Sequence, residues 1–200
     1  MHVPPAYAPA PARLRAWIVA HPFAQVVTSG PAGPLATATP LVFETDDPGE
    51  TRLVGHIARR NPQAATLAGP ALAIFSGPDA YVSPRSYLGK PDLPTWNYVA
   101  VQARGPLTPL DDVADARAVL ARAIHVMERR RRDPWSMAEA DPARVAALSP
   151  HIRAFRLRIE RVEGAMKLSQ TKPPGERTNV IAALAADGAA EVAALMREEA

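Results

Sequence analysis

The sequence contains no cysteine, and this absence excludes three kinds of chemistry together: disulfides, thiolate metal sites and cysteine nucleophiles. Histidine is also sparse. The five histidines are scattered along the chain, and no two have the i, i+4 spacing of a helical metal site. We therefore expect no metal centre.

Long apolar runs are absent as well. The longest fall far short of the roughly 20 residues that a membrane-spanning helix needs. The opening MHVPPAYAPAPARLR has no basic stretch followed by an apolar one, so it does not resemble a secretory signal. We expect a soluble, cytoplasmic protein with no membrane association.

Common catalytic motifs are missing too. No G-x-G-x-x-G follows a strand, there is no Walker A motif, and neither Ser29-Gly30 nor Ser76-Gly77 forms a nucleophile elbow. No pair of carboxylates stands out at positions that look buried. These absences argue against Rossmann, P-loop and hydrolase assignments.

The size and composition are those of an ordinary globular chain. The 200 residues are 48% hydrophobic, which is enough for a sizeable core. We expect one domain over residues 1–200, with a helical insertion at 111–150 and a helical tail at 173–200.

The net charge of +3 is only mildly basic, and its densest part is the run of arginines at 129–132. Such a run is either a solvated helix end, where cations complement the helix dipole, or a nucleic-acid-binding patch. No helix-turn-helix pattern supports the second interpretation.

Short strands with turn signals between them dominate the first half of the chain. The pattern predicts strands at 24–29, 35–45, 52–58 and 71–76, and a charged-faced strand at 153–162. Two further strands lie within 79–107, joined by a loop that contains Pro91 and Pro94. Close spacing of this kind favours an antiparallel barrel over a parallel sheet, so we predict a β-rich α+β fold with peripheral helices.

Several segments combine hydrogen-bond donors with aromatic rings. A phosphorylated, flat heteroaromatic ligand needs this mixture of cations, hydroxyls, amides and stacking surfaces. The segments are Thr37 with Thr39, residues 56–61, Tyr81 with Ser83, residues 95–98, and residues 167–170. The alternative is a barrel wall whose aromatic side chains simply pack.

The corner after the third strand is an anion-site candidate. Asn61 followed by Pro62 is an N-cap with proline at the first helical position, so free backbone N–H groups are expected beside Arg59 and Arg60. A plain corner with solvated arginines is the alternative.

Four motifs in order carry a family resemblance: GHIARRNP (55–62), FSGPDAYVSP (75–84), PTWNYVAV (94–101) and KLSQ (167–170). Together with the opening MHVPPAYAP, they resemble the PaiB family, the FMN-binding negative transcriptional regulators of bacteria. The resemblance extends from residue 1 to about residue 184.

This resemblance implies an antiparallel split β-barrel of the FMN-binding type, a homodimer, and FMN at the subunit interface. It implies that His56, Arg59 and Asn61 hold the phosphate. The full set of expected cofactor-binding residues is Thr37, Thr39, His56, Arg59, Asn61, Ser83, Trp96, Asn97, Lys167, Ser169 and Gln170.

Three functions follow as hypotheses. The first is an FMN-binding regulator of the PaiB type, for which direct contact with DNA is the weaker expectation because no DNA-reading helix is evident. The second is a flavin-dependent oxidoreductase, similar to flavin reductases or pyridoxamine phosphate oxidases, in which FMN carries the chemistry. The third is a barrel that has lost its cofactor and acts as a binding module. Departures from the family pattern, such as Ala38-Thr39 where His-Leu is usual, bear on flavin affinity rather than on the fold.

Overall fold

The computed structural model describes residues 1–88 and 93–199, so Pro91 lies outside the described residues. Within those residues the chain forms five α-helices and eight β-strands. The helices are α1 Pro11–Ala20, α2 Val113–Glu128, α3 Pro142–Leu148, α4 Pro174–Ala186 and α5 Ala190–Glu198. The strands are β1 Phe23–Gly30, β2 Gly33–Pro40, β3 Val42–Phe43, β4 Arg52–Ala58, β5 Gly69–Val82, β6 Thr95–Leu110, β7 Ile152–Arg158 and β8 Arg161–Lys167.

The eight strands form one antiparallel sheet that does not close. Their order is β2-β1-β5-β6-β7-β4-β3, and β8 pairs with β6 off this path. Gly30 pairs with Gly33 across β1 and β2, and Arg52 pairs with Arg158 across β4 and β7. The β-rich α+β class and the antiparallel split barrel expected from the sequence are confirmed.

The turn between β1 and β2 depends on a glycine. Gly33 has φ of +117°, a region that glycine enters without the steric cost of a side chain. Pro31 and Ala32 form the two-residue connection, and the hairpin register follows from it.

The predicted strand at 153–162 is divided in the structure. β7 ends at Arg158 and β8 begins at Arg161. Between them the N–H of Ile159 donates to the carbonyl of Thr51, and the N–H of Glu160 donates to that of Arg104, each at 2.8 Å. The periodicity of the segment continues through this change of partner, so the sequence pattern did not reveal it.

The charged face of β7 is paired within the chain. Arg156 makes a two-nitrogen contact with the carboxylate of Glu44, and Arg158 Nη2 lies 2.6 Å from Glu160 Oε1. Each of these guanidinium groups therefore has a carboxylate of its own chain beside it, and the face does not need a second subunit to balance its charge.

Contacts divide the chain into two compact units. Unit 1 comprises Met1–Leu14, Ser76–Val101 and Glu163–Ala200, and unit 2 comprises Arg15–Phe75 and Gln102–Val162. The core of unit 1 includes Val99, Leu168 and Met196, and that of unit 2 includes Leu53 and Phe155, all at most 2% exposed. The assignment of residues 1–200 to a single domain stays a prediction.

In the described part of the chain, every helix is too short or too polar to cross a membrane.

Candidate functional site

In unit 2, four of the expected cofactor residues lie on elements joined by hydrogen bonds. The side-chain amide of Asn61 donates to the hydroxyl of Thr37 on β2 at 2.9 Å. The hydroxyl of Thr39, two residues further along β2, donates to the backbone carbonyl of His56 on β4 at 2.6 Å. Thr37 and Thr39 share one face of their strand because successive side chains alternate. The structure thus brings Thr37, Thr39, His56 and Asn61 into one cluster.

His56 is the member of this cluster with unused hydrogen-bonding capacity. Its Nδ1 atom is buried and has no partner among residues 1–88 and 93–199. Burial lowers the pKa of the imidazole, because the charged form loses hydration in the interior. A neutral imidazole with an unpaired nitrogen can donate to, or accept from, a polar ligand atom.

At the corner after β4, backbone N–H groups that the sequence analysis expected to be free already have hydrogen-bond partners. Asn61 caps the short 3-10 helix Pro62–Thr66: its Oδ1 accepts the N–H of Gln63 at 2.9 Å, and its carbonyl accepts that of Ala64 at 2.8 Å. The N-cap prediction is confirmed. The expectation that these two amides are free is wrong, because the cap residue itself satisfies them.

Arg59 stands at the same corner but is not bonded to the cluster. Its backbone N–H donates to the carbonyl of His151 at 2.8 Å, and its Nε donates to the carbonyl of Pro150 at 3.0 Å. The side chain is exposed. Within the described residues, the two terminal nitrogens of its guanidinium make no hydrogen bond, so they stay available to an anion.

Gln63 is a residue that the sequence reasoning missed. It is only 2% exposed, and its Nε2 lies 2.9 Å from the carbonyl of Val26, 3.0 Å from the hydroxyl of Thr28 and 3.2 Å from the carbonyl of Leu35. These contacts fix the 3-10 helix to β1 and β2 and so position Asn61 beside Thr37. The sequence held one weak signal, a glutamine directly after the Asn-Pro cap.

In unit 1, Asn97 and Ser169 are committed to each other. The amide of Asn97 is 0% exposed; its Nδ2 donates to the Ser169 hydroxyl at 3.0 Å, and that hydroxyl lies 3.1 Å from its Oδ1. Ser169 has φ of +59°, an uncommon backbone conformation for a residue other than glycine. Both side chains are therefore used inside unit 1.

Three other candidates of unit 1 also have partners nearby. Lys167 Nζ contacts the hydroxyl of Thr95, and Gln170 Oε1 accepts the N–H of Leu168 at 2.7 Å. Ser83 caps the 3-10 helix Pro84–Ser86 by accepting the N–H of Arg85 at 3.3 Å. These contacts shape the chain locally.

Trp96 is the candidate of unit 1 that faces outward. Its side chain is 52% exposed and meets the ring of Tyr81, itself 50% exposed, edge-to-face with 6.0 Å between ring centroids. Two large aromatic rings on adjacent strands therefore form an exposed apolar surface in unit 1.

The run of arginines at 129–132 is partly consumed inside unit 2. Arg129 Nη1 lies 2.9 Å from a carboxylate oxygen of Asp46, whose pKa is held far below its ordinary value mainly by the hydrogen bond from Arg122. Arg130 donates to the carbonyls of Val19 and Ala20 at the C-terminal end of α1. The charge of these two arginines therefore serves contacts within unit 2.

The open antiparallel barrel defines the class: the chain has the split-barrel fold of flavin-binding proteins. It is similar to the solved structure of the flavocytochrome Anf3 from Azotobacter vinelandii, with a TM-score of 0.58, 17% identity, and coverage of 82% of this chain and 72% of that one. It is also similar to the structure of the FAD and heme binding protein from Mycobacterium smegmatis, with a TM-score of 0.59, 16% identity, and coverage of 84% and 77%. At such low identity these likenesses show the fold alone.

The sequence comparisons give the family. Residues 1–161 match the family described as "Putative FMN-binding domain". Over 163 residues the chain is 32% identical to the protease synthase and sporulation protein PAI 2 of Bacillus subtilis (strain 168), an alignment that covers 80% of this chain and 76% of that protein. The chain therefore belongs to this FMN-binding domain family, and the resemblance to PaiB is confirmed.

Proposed function

We propose that this protein binds FMN as a homodimer and acts in regulation, as the PaiB resemblance implies. The observation that carries the proposal is the buried, unpartnered Nδ1 of His56 in a cluster with Thr37, Thr39 and Asn61. A buried polar atom without a partner is rare in folded proteins and calls for an explanation. In a chain of an FMN-binding domain family, a polar atom of the cofactor supplies one.

The residues of this cluster fit parts of FMN. The hydroxyl of Thr37 and the neutral imidazole of His56 are hydrogen-bonding groups for polar atoms of the ligand. The terminal nitrogens of Arg59 are donors of the kind that a phosphate prefers, since charge-assisted bonds are the stronger ones. FMN, when bound, would supply the redox chemistry of its ring. The proposed set also includes Ser83, Asn97, Lys167, Ser169 and Gln170. Asn97 and Ser169 are already hydrogen-bonded to each other, so their first role is structural.

The exposed aromatic surface of unit 1 supports the proposed homodimer. Tyr81 and Trp96 are each about half exposed. Large exposed side chains of this kind, grouped together, commonly mark interaction surfaces, and Trp and Tyr are enriched at interface centres. A second copy of the chain is the partner that the family resemblance implies.

Titration with FMN tests the proposal. We expect the purified protein to bind FMN, measured by isothermal titration calorimetry, and FMN to raise the midpoint of thermal unfolding, because a ligand that binds only the folded state stabilises it. Arg59→Ala should weaken binding about tenfold through loss of a charge-assisted contact. Arg60→Ala is the matched control, since Arg60 is the adjacent exposed arginine. Equal affinity in the two variants would remove Arg59 from the site.

Two further measurements separate the hypotheses on activity. Bleaching of protein-bound flavin by NAD(P)H would favour the oxidoreductase over the regulator. Binding to duplex DNA that weakens steeply with salt would support regulation through direct contact with DNA. A protein that is colourless and that FMN does not stabilise would favour the third hypothesis, a barrel that has lost its cofactor and acts as a binding module.

A further inference from the structure

A cavity in unit 1 is bounded by the segment that follows β8 and by helices α4 and α5. It has a volume of about 490 Å³, within the range of about 300 to 1,000 Å³ that small-molecule sites occupy. Three of its lining residues are cationic: Lys172, Arg177 and Arg197. Among the described residues, Glu199 is the one carboxylate of the lining. The cavity therefore combines a ligand-sized volume with an excess of positive charge.

The hairpin of α4 and α5 brings two of these cations together. Gly188, with φ of +87°, lies in the turn between the helices, whose buried residues include Val180 of α4 and Met196 of α5. In an antiparallel pair of helices, the start of the first lies beside the end of the second. Arg177, near the start of α4, and Arg197, in the last turn of α5, therefore line the same cavity.

The guanidinium of Arg177 is held in place but retains unused hydrogen-bonding capacity. Its Nη2 donates to the backbone carbonyl of Met196 on α5. Its Nε is buried and has no partner among residues 1–88 and 93–199. A guanidinium carries its N–H donors in a planar fork, which suits the paired oxygens of a phosphate or a carboxylate. Because the contact with Met196 already orders the side chain, a ligand meets a preorganised group.

Two carboxylates in and beside the cavity already have cationic partners. Glu199 is paired with Arg13, and Glu176 Oε2 lies 4.0 Å from Lys172 Nζ. The two arginines of the lining have no ion pair in the part of the chain that the structure describes. Their two positive charges are therefore available to an anion.

The start of α4 adds to this positive potential. Pro174, its first residue, lines the cavity, and no side chain caps this end of the helix. The N-terminus of an α-helix carries roughly half a positive charge, which favours anions. The arginine side chains and the helix thus act in the same direction, and the cavity favours an anion that carries more than one charge.

We propose that this cavity binds a small organic dianion of the phosphate monoester class, whose phosphate pairs with Arg177 and Arg197. A phosphate monoester carries about 1.5 to 2 negative charges near neutral pH and three acceptor oxygens on one group, which matches two unpaired guanidinium groups. Both arginines lie beyond residues 1–161, the part of the chain that matches the FMN-binding domain family. Gln170, which also lines the cavity, belongs to the residues proposed for FMN, but the proposal does not depend on it.

Two probes that share one skeleton and differ by one charge test the proposal: phenyl phosphate, a dianion at pH 8, and phenyl sulfate, a monoanion. By isothermal titration calorimetry we expect phenyl phosphate to bind at one per chain and about tenfold more tightly than phenyl sulfate, the factor typical of one charge-assisted contact. Arg197→Gln should lower the affinity for phenyl phosphate about tenfold, because one of its two cationic partners is lost. Arg132→Gln, at an exposed arginine of unit 2 that does not line the cavity, is the matched control and should bind as the unmodified protein does.

A second variant tests the location. Thr178 is exposed on α4 and lines the cavity, so a carboxylate in Thr178→Glu should repel phenyl phosphate and weaken its binding about tenfold or more. Circular dichroism and thermal unfolding show whether each variant is folded. If Thr178→Glu does not fold, Arg177→Gln replaces it and should have an effect as large as that of Arg197→Gln.

Arg59→Ala separates this site from the one proposed for FMN. It should weaken FMN binding but leave the affinity for phenyl phosphate unchanged, so either proposal can fail without the other. The present one is overturned if Arg197→Gln and Arg132→Gln have the same effect, or if a folded Thr178→Glu variant binds phenyl phosphate as the unmodified protein does. It is also overturned if Arg59→Ala abolishes phenyl phosphate binding.

Discussion

The amide of Asn97 and the hydroxyl of Ser169, separated by 72 residues in sequence, contact each other through both polar atoms of the amide. This pair joins the PTWNY motif at the start of β6 to the KLSQ motif, whose lysine ends β8, and both motifs carried the family resemblance. Asn97 Nδ2 also lies 3.2 Å from the sulfur of Met196 on α5. The two motifs therefore meet first of all in a buried structural contact of unit 1.

Replacing Asn97 should destabilise the fold. Asn97→Ala leaves the Ser169 hydroxyl buried without its partner, and we expect a loss of about 1–3 kcal/mol in the free energy of unfolding. Urea denaturation measures it. Asn179→Ala, at an exposed position of α4, should change the stability by no more than about 0.5 kcal/mol. A loss no larger in Asn97→Ala than in this control would show that the buried pair contributes little.

Glu50 should give the protein a measurable dependence of stability on acid. Its buried carboxylate accepts hydrogen bonds from Arg52 Nε at 2.8 Å, from the N–H of Arg52 at 2.9 Å and from the hydroxyl of Thr45 at 3.1 Å. These contacts, that of the Arg52 side chain above all, lower the pKa of Glu50 to about 2 from an ordinary value of 4.5.

Because the folded-state pKa is the lower one, the stabilisation by Glu50 is fully present above pH 4.5 and is lost as the pH falls towards 2. Glu50→Gln should lower the free energy of unfolding by about 1–3 kcal/mol at pH 7 and flatten its fall between those two pH values. Denaturant titrations at a series of pH values measure both effects. Glu198→Gln, at an exposed position of α5, is the control and should keep the slope of the unmodified protein.

His56 should make the FMN-free protein less stable below neutral pH. Burial lowers its folded-state pKa below the ordinary 6.5, so the unfolded chain binds a proton first as the pH falls. The free energy of unfolding should therefore decrease as the pH drops below 6.5, and His56→Gln should reduce this decrease. Proton NMR titration of the histidine signals checks the cause directly. A His56 signal that titrates at or above the ordinary value of 6.5 would contradict the prediction.

The approach of β6 to the end of β7 should tolerate only glycine at position 105. A Cβ atom added to Gly105 would lie 1.7 Å from the backbone carbonyl oxygen of Arg158, and backbone cannot yield as a flexible side chain can. We expect Gly105→Ala to cost more than about 4 kcal/mol or to prevent folding, which soluble expression and thermal unfolding would reveal. Gly175→Ala, in the first turn of α4, meets only the end of the Leu88 side chain at 3.3 Å and should fold normally.

Much of the fold was predictable because it depends on local patterns. The strand at 52–58 and the helix start at Pro62 follow from alternation and capping signals that act within a few residues. The division at Ile159 and Glu160 was not predictable, because both residues fit the alternation of the preceding strand. Their backbone partners, Thr51 and Arg104, come from distant parts of the chain.

The site shows the same division between local and long-range information. The sequence identified Asn61 as a helix cap and Thr37 as a polar strand residue, but not that the two are hydrogen-bonded. Gln63, which fixes their arrangement through contacts with β1 and β2, gave almost no sequence signal. A polar residue in a short helix is common in sequences, and only the tertiary structure shows that this one is buried.

By itself, the sequence determined the class of fold and the family, because these rest on periodicity, turn chemistry and motifs that are written along the chain. The tertiary structure alone decided which polar side chains are consumed by internal contacts and which keep unused capacity. Asn97 and Ser169 bind each other, whereas the imidazole of His56 retains a nitrogen without a partner among the described residues. That distinction depends on which residues distant in sequence come within hydrogen-bonding distance, and local patterns carry no record of it.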